Sequence, residues 1–63
     1  AGTKKEFKYR ISVCCCESRE TKYQLRMVVA AVPDKTEAAR LLWREADELN
    51  RIFAAIFRNT DDD

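Results

Sequence analysis

Glu6-Phe7-Lys8-Tyr9-Arg10-Ile11-Ser12-Val13 carries an apolar side chain at every second position, Phe7, Tyr9, Ile11 and Val13, with polar residues between. Period-two alternation is the signature of a strand with one face buried. A second run has the same form, with Tyr23, Leu25, Met27, Val29 and Ala31 on one parity and Lys22, Gln24 and Arg26 on the other. The spacing predicts two antiparallel strands, at about 5–16 and 22–32. The polar stretch Glu17-Ser18-Arg19-Glu20-Thr21 then serves as their connection. Pairing the two apolar faces requires an odd loop, because a one-residue slip turns a whole face outward. A three-residue loop, Ser18 to Glu20, sets Cys15 opposite Tyr23, Val13 opposite Leu25, Ile11 opposite Met27 and Tyr9 opposite Val29. One element is missing: no glycine supplies the left-handed position that such loops prefer.

Downstream, Val32-Pro33-Asp34 ends the second run. Asp34 and Glu37 have the spacing of a capping box. From Glu37 to Arg58 there is no Gly or Pro, and Ala, Leu, Arg and Glu predominate, so the spacing predicts one amphipathic helix at about 35–58. On a 3.6-residue period, Ala38, Ala39, Leu42, Ala46, Leu49, Phe53 and Ile56 form its central stripe, the part expected to cover the hairpin. Leu41 and Ile52 widen the stripe on one side, Trp43 and Phe57 on the other. The expectation is an α+β fold: a single ββα domain over residues 1–63, an antiparallel β-hairpin under one long C-terminal helix, with residues 60–63 an acidic, disordered tail.

A chain of 63 residues buries only about 60% of the surface its unfolded form exposes. An apolar arc of half the helix circumference is more than two strands can cover. The sheet face opposite the core adds Cys14, Cys16 and Val28. These surpluses point to self-association, as a homodimer or higher oligomer, with Trp43, Phe57, Ile52, Leu41, Cys14, Cys16 and Val28 as the interface. Large aromatics are the usual anchors of such surfaces.

Other function classes find little in the composition. Twelve basic and eleven acidic residues leave a net charge of +1, but residues 1–32 carry seven Lys and Arg against three Glu, and residues 33–63 five against eight. A basic hairpin face with Lys8, Arg10, Lys22 and Arg26 makes single-stranded nucleic acid the alternative partner, although Phe7, Tyr9 and Tyr23 have the core parity and leave that face without stacking rings. The chain has no histidine, and its one glycine, Gly2, makes no phosphate loop. The consecutive Cys14, Cys15 and Cys16 lack an evident base for nucleophilic chemistry and partners for a four-ligand metal site. No catalytic residue, cofactor or metal is therefore expected. No apolar run reaches the roughly 18 residues of a membrane span, and the first residues are not followed by a signal-peptide core. Three cysteines without a disulfide framework place the chain in the cytoplasm or another reducing compartment. The resulting expectation is a non-enzymatic, self-associating scaffold module; its even element lengths and dense helix fit a designed or engineered homo-oligomer as well as a natural one.

Overall fold

The computed structural model describes residues 2–60, and it overturns the β-hairpin. Both runs read as strands belong to one helix, α1, Lys4–Ala31. A 3-10 turn, Pro33–Lys35, leads into a second helix, α2, Thr36–Asn59. Among the described residues there is no strand. The fold is all-α, an antiparallel helical hairpin measuring 48 × 15 × 14 Å. The expected acidic tail at Asp61 to Asp63 lies outside the described residues.

Local chemistry explains why the helix wins. Thr3 caps α1: its Oγ1 accepts from the Glu6 N–H at 3.0 Å, while Glu6 Oε1 accepts from the Gly2 N–H at 3.1 Å. The Thr3 hydroxyl thereby satisfies one donor that helix initiation leaves orphaned, and the Glu6 carboxylate ties down the residue before the cap. From Thr3 to Val32 there is then no Gly or Pro to interrupt propagation. The supposed loop, Glu17 to Thr21, contains three good helix formers and no residue suited to positive φ, so the chain has no means of reversing there. Cys15 and Tyr23, the expected cross-strand pair, are instead eight residues apart on one helix, about 12 Å along its axis. The alternation survives without its consequence. At about 100° per residue, Ile11 turns toward α2 while Tyr9 turns away and is 66% exposed.

Reversal occurs one element later. Val32 leaves the helix at φ −135°, ψ 80°, away from the helical region that the following Pro33 disfavours. The Val32 N–H donates to the Val28 carbonyl at 2.7 Å and the Lys35 N–H to the Val32 carbonyl at 3.0 Å, closing the turn. Asp34 makes no side-chain cap, so the expected box with Glu37 does not form; the 3-10 turn occupies that place, and the Thr36 hydroxyl donates to the Pro33 carbonyl.

The two helices meet along matching heptad seams. On α1 the positions run Ile11, Cys15, Ser18, Lys22, Leu25, Val29, at alternating spacings of four and three. On α2 they run Thr36, Ala39, Trp43, Ala46, Asn50, Phe53, Phe57. Such spacing keeps one stripe toward a partner helix. The stripe is thin in apolar mass: among the described residues only Ala39, Ala46 and Ser18 are buried, and no large side chain is fully enclosed. Leu42 and Leu49, expected in the core, are 54% and 48% exposed.

Arg19→Gly discriminates the two architectures. In the middle of a helix it should lower stability by about 1 kcal/mol, read as a shift of the urea midpoint followed by circular dichroism. In a tight β-turn the same glycine would be neutral or stabilising.

Candidate interface

The centre of the seam is polar. Asn50 Nδ2 donates to the Cys15 carbonyl at 2.9 Å and to Ser18 Oγ at 3.0 Å, and Ser18 Oγ itself donates to that same carbonyl at 3.0 Å. One turn on, Lys22 Nζ donates to Asp47 Oδ1 at 2.8 Å, and Arg51 reaches Asp47 Oδ2 at 3.1 Å. The Lys22 hydrogen bond, with Arg51 and the Lys22 charge reinforcing it, holds the Asp47 carboxyl below its ordinary range against the opposing effect of partial burial. Of the two i,i+4 pairs on α2, Asp47 with Arg51 forms, whereas Arg44 makes no ion pair with Glu48.

Trp43 packs beside this network. The Lys22 ammonium lies 5.1 Å from its ring centroid and the Arg26 guanidinium 5.8 Å, both within cation–π range. At the opposite end of the hairpin, Lys8 stands 4.7 Å from the Phe57 centroid. Trp43 Nε1 is buried without a hydrogen-bond partner, which costs roughly 1–3 kcal/mol.

Because the seam fully buries only Ala39 and Ala46 of its apolar residues, much apolar surface lies outside it, and helical geometry sorts it. Phe7, Cys14, Thr21 and Val28 recur every seven residues on α1, as do Leu42, Leu49 and Ile56 on α2. In antiparallel helices joined along the observed seam, both series fall on the same side of the hairpin. Phe7 is 50% exposed, and Val28, Leu42 and Leu49 are also open to solvent. The other side is cationic: Lys8, Arg19, Lys22 and Arg26 from α1 share it with Arg40, Arg44, Arg51 and Arg58 from α2. The hairpin is thus a two-helix layer with one apolar and one basic face.

The residues picked from sequence disperse over this layer. Cys14 and Val28 lie on the apolar face. Leu41 and Ile52 are exposed on the outer edge of α2, and Cys16 on the outer side of α1. Trp43 and Phe57 belong to the seam. Lys8, Lys22 and Arg26 share the basic face, while Arg10 lies toward the apolar one beside Phe7. All three cysteines are free, and successive positions on a helix fan their thiols apart. Among the described residues no group of His, Cys, Asp or Glu gathers as metal ligands, and no helix is long and apolar enough to cross a membrane. Sequence reasoning missed Ser18, assigned to a loop, and Asn50, placed on the expected helix without a role; their signal is a three-and-four spacing shared with apolar neighbours. Compared with protein-family models, curated proteins and solved structures, the chain matches none.

The Asp47 pairing has a pH signature. A folded-state pKa below the unfolded value contributes stability that is fully present above about pH 4 and is lost as pH falls through the folded pKa. Thermal melts of the wild type should therefore weaken progressively below pH 4, and Asp47→Asn should show a shallower acid dependence together with a lower melting temperature at neutral pH.

Proposed function

We infer that the chain is a non-enzymatic structural module that self-associates through its apolar face, two hairpins stacking that face to form a four-helix bundle. The observation that carries this reading is the mismatch between a seam that buries only Ala39, Ala46 and Ser18 and a face that leaves Phe7, Val28, Leu42 and Leu49 exposed. Exposed contiguous apolar surface of this kind marks interaction sites. One face of the hairpin measures 48 by 15 Å, roughly 700 Å² in projection, close to the roughly 800 Å² that each partner contributes to a standard interface. Closed two-fold pairing of identical faces is the common solution for such chains. Cys14 falls inside this contact, and the module is at home in a reducing compartment, where its free thiols persist.

Sedimentation equilibrium over a wide concentration range, with reductant, tests the reading: a mass near twice 7.3 kDa is expected. Leu42→Glu and Leu49→Glu should each weaken association by roughly 10- to 100-fold, the loss expected for one well-buried leucine. A folded monomer at all concentrations would refute it.

A second reading, binding of single-stranded nucleic acid, draws support from the placement of Lys8, Lys22 and Arg26 on one face with four arginines of α2. Engagement of Lys22 and Arg51 by Asp47 weakens it. Anisotropy of a labelled mixed 12-nucleotide strand should then fall steeply with salt, with a log–log slope of roughly −0.7 per phosphate neutralised; a salt-independent signal, or none, dismisses it.

A further inference from the structure

Beside the loop end of the hairpin, the basic face opens into a groove of about 410 Å³. Its floor is apolar, made by Leu25 and Val29 of α1 with Ala39 and Trp43 of α2. Its rim is cationic: Arg26, Arg40 and Arg44 border it, and no carboxylate lines it. Among the described residues no ion pair engages these guanidiniums. Arg26 stacks on the Trp43 ring.

An apolar floor ringed by uncompensated arginines is a specific kind of complementarity. Ligand sites of comparable volume join hydrophobic lining to a few placed polar groups that fix orientation. Guanidinium forks match carboxylate oxygens in charge and geometry. We propose that this groove binds a free single-chain anionic amphiphile, its hydrocarbon body lying on Leu25, Val29 and Trp43 and its carboxylate held between Arg40 and Arg44. The apolar body removes the hydrophobic floor from water, and the head group supplies the counter-charge the rim lacks. The groove opens on the side opposite the association face, so occupation does not compete with dimer formation.

Trp43 is the only tryptophan of the chain and forms part of the floor, so its fluorescence reports the site directly. Sodium decanoate, kept below its micellar concentration, is titrated into the full chain beside two probes of equal chain length, decanol and decyltrimethylammonium. A saturable change in Trp43 emission with decanoate, at least tenfold weaker with the neutral and cationic probes, is expected. The double variant Arg40→Gln/Arg44→Gln removes two exposed side chains without ion pairs and should retain its helical circular dichroism and sedimentation. Its decanoate affinity should drop by roughly tenfold or more.

Equal response to decanol and decanoate would overturn the proposal, because the site would then be merely greasy. Unchanged affinity in the double variant would overturn it as well. So would a response seen only with vesicles containing anionic lipid and absent with free decanoate, which would assign the basic face to a membrane surface. None of these outcomes depends on the oligomeric state found by sedimentation.

Discussion

What orders this hairpin lies between its helices: Ala39, Ala46, Ser18 and Asn50 at positions where a heptad seam normally carries leucine, and Lys22 at another, reaching Asp47 beside the seam. Ser18, Asn50 and the Cys15 carbonyl satisfy one another, and Lys22 with Asp47 closes the next turn. Polar groups at buried heptad positions set register at a cost in stability. Small residues at Ala39 and Ala46 let the helices approach closely but remove little apolar surface from water. The contact therefore specifies the alignment of α1 and α2 better than it stabilises it.

From that division of labour the two faces arise. Phe7, Leu42, Leu49 and Ile56, outside the seam, share one side with Cys14 and Val28, and most of the arginine and lysine lies on the other, so the layer is amphipathic as a whole. Trp43 links the two regimes. It sits in the seam, yet its ring carries Lys22 and Arg26, and its indole N–H finds no acceptor. An unsatisfied buried donor is costly, and the two cations over the ring offset part of that cost.

The amino-acid sequence disclosed α2, with its amphipathic character, and the apolar surplus on it, but it misled at α1. Phe7, Tyr9, Ile11 and Val13 satisfy a period of two, and they also lie alternately toward and away from α2 in a helix, so the alternation alone could not arbitrate. The arbitrating signals were local and of a different kind: no glycine between Glu17 and Thr21 to reverse the chain, and Thr3 with Glu6 to start a helix. The same capping rule misdirected at Asp34, where Pro33 imposes a 3-10 turn. Ser18 and Asn50 were illegible because a polar residue in a seam is recognisable only once the helix facing it is known. Leu42 and Leu49 were read as core because hydrophobicity reports that a face seeks cover without naming which surface provides it.

The rotation of α2 about its own axis bears on what provides that cover. Turning α2 by about a quarter turn would bring Leu42, Leu49 and Ile56 against α1 and bury more apolar area within one chain. That rotation would separate Asn50 from Ser18, a loss of roughly 1–3 kcal/mol where a partner is left unsatisfied, and would also break the Lys22–Asp47 pair. Burying a leucine contributes roughly 1.5–3 kcal/mol, so for an isolated chain the two arrangements are close in energy and the apolar one has the larger reserve. The observed rotation gains the advantage when the leucine face is covered from outside, since the polar seam and the apolar burial are then realised together. A polar seam inside and an apolar face left outside are thus two consequences of one rotation of α2.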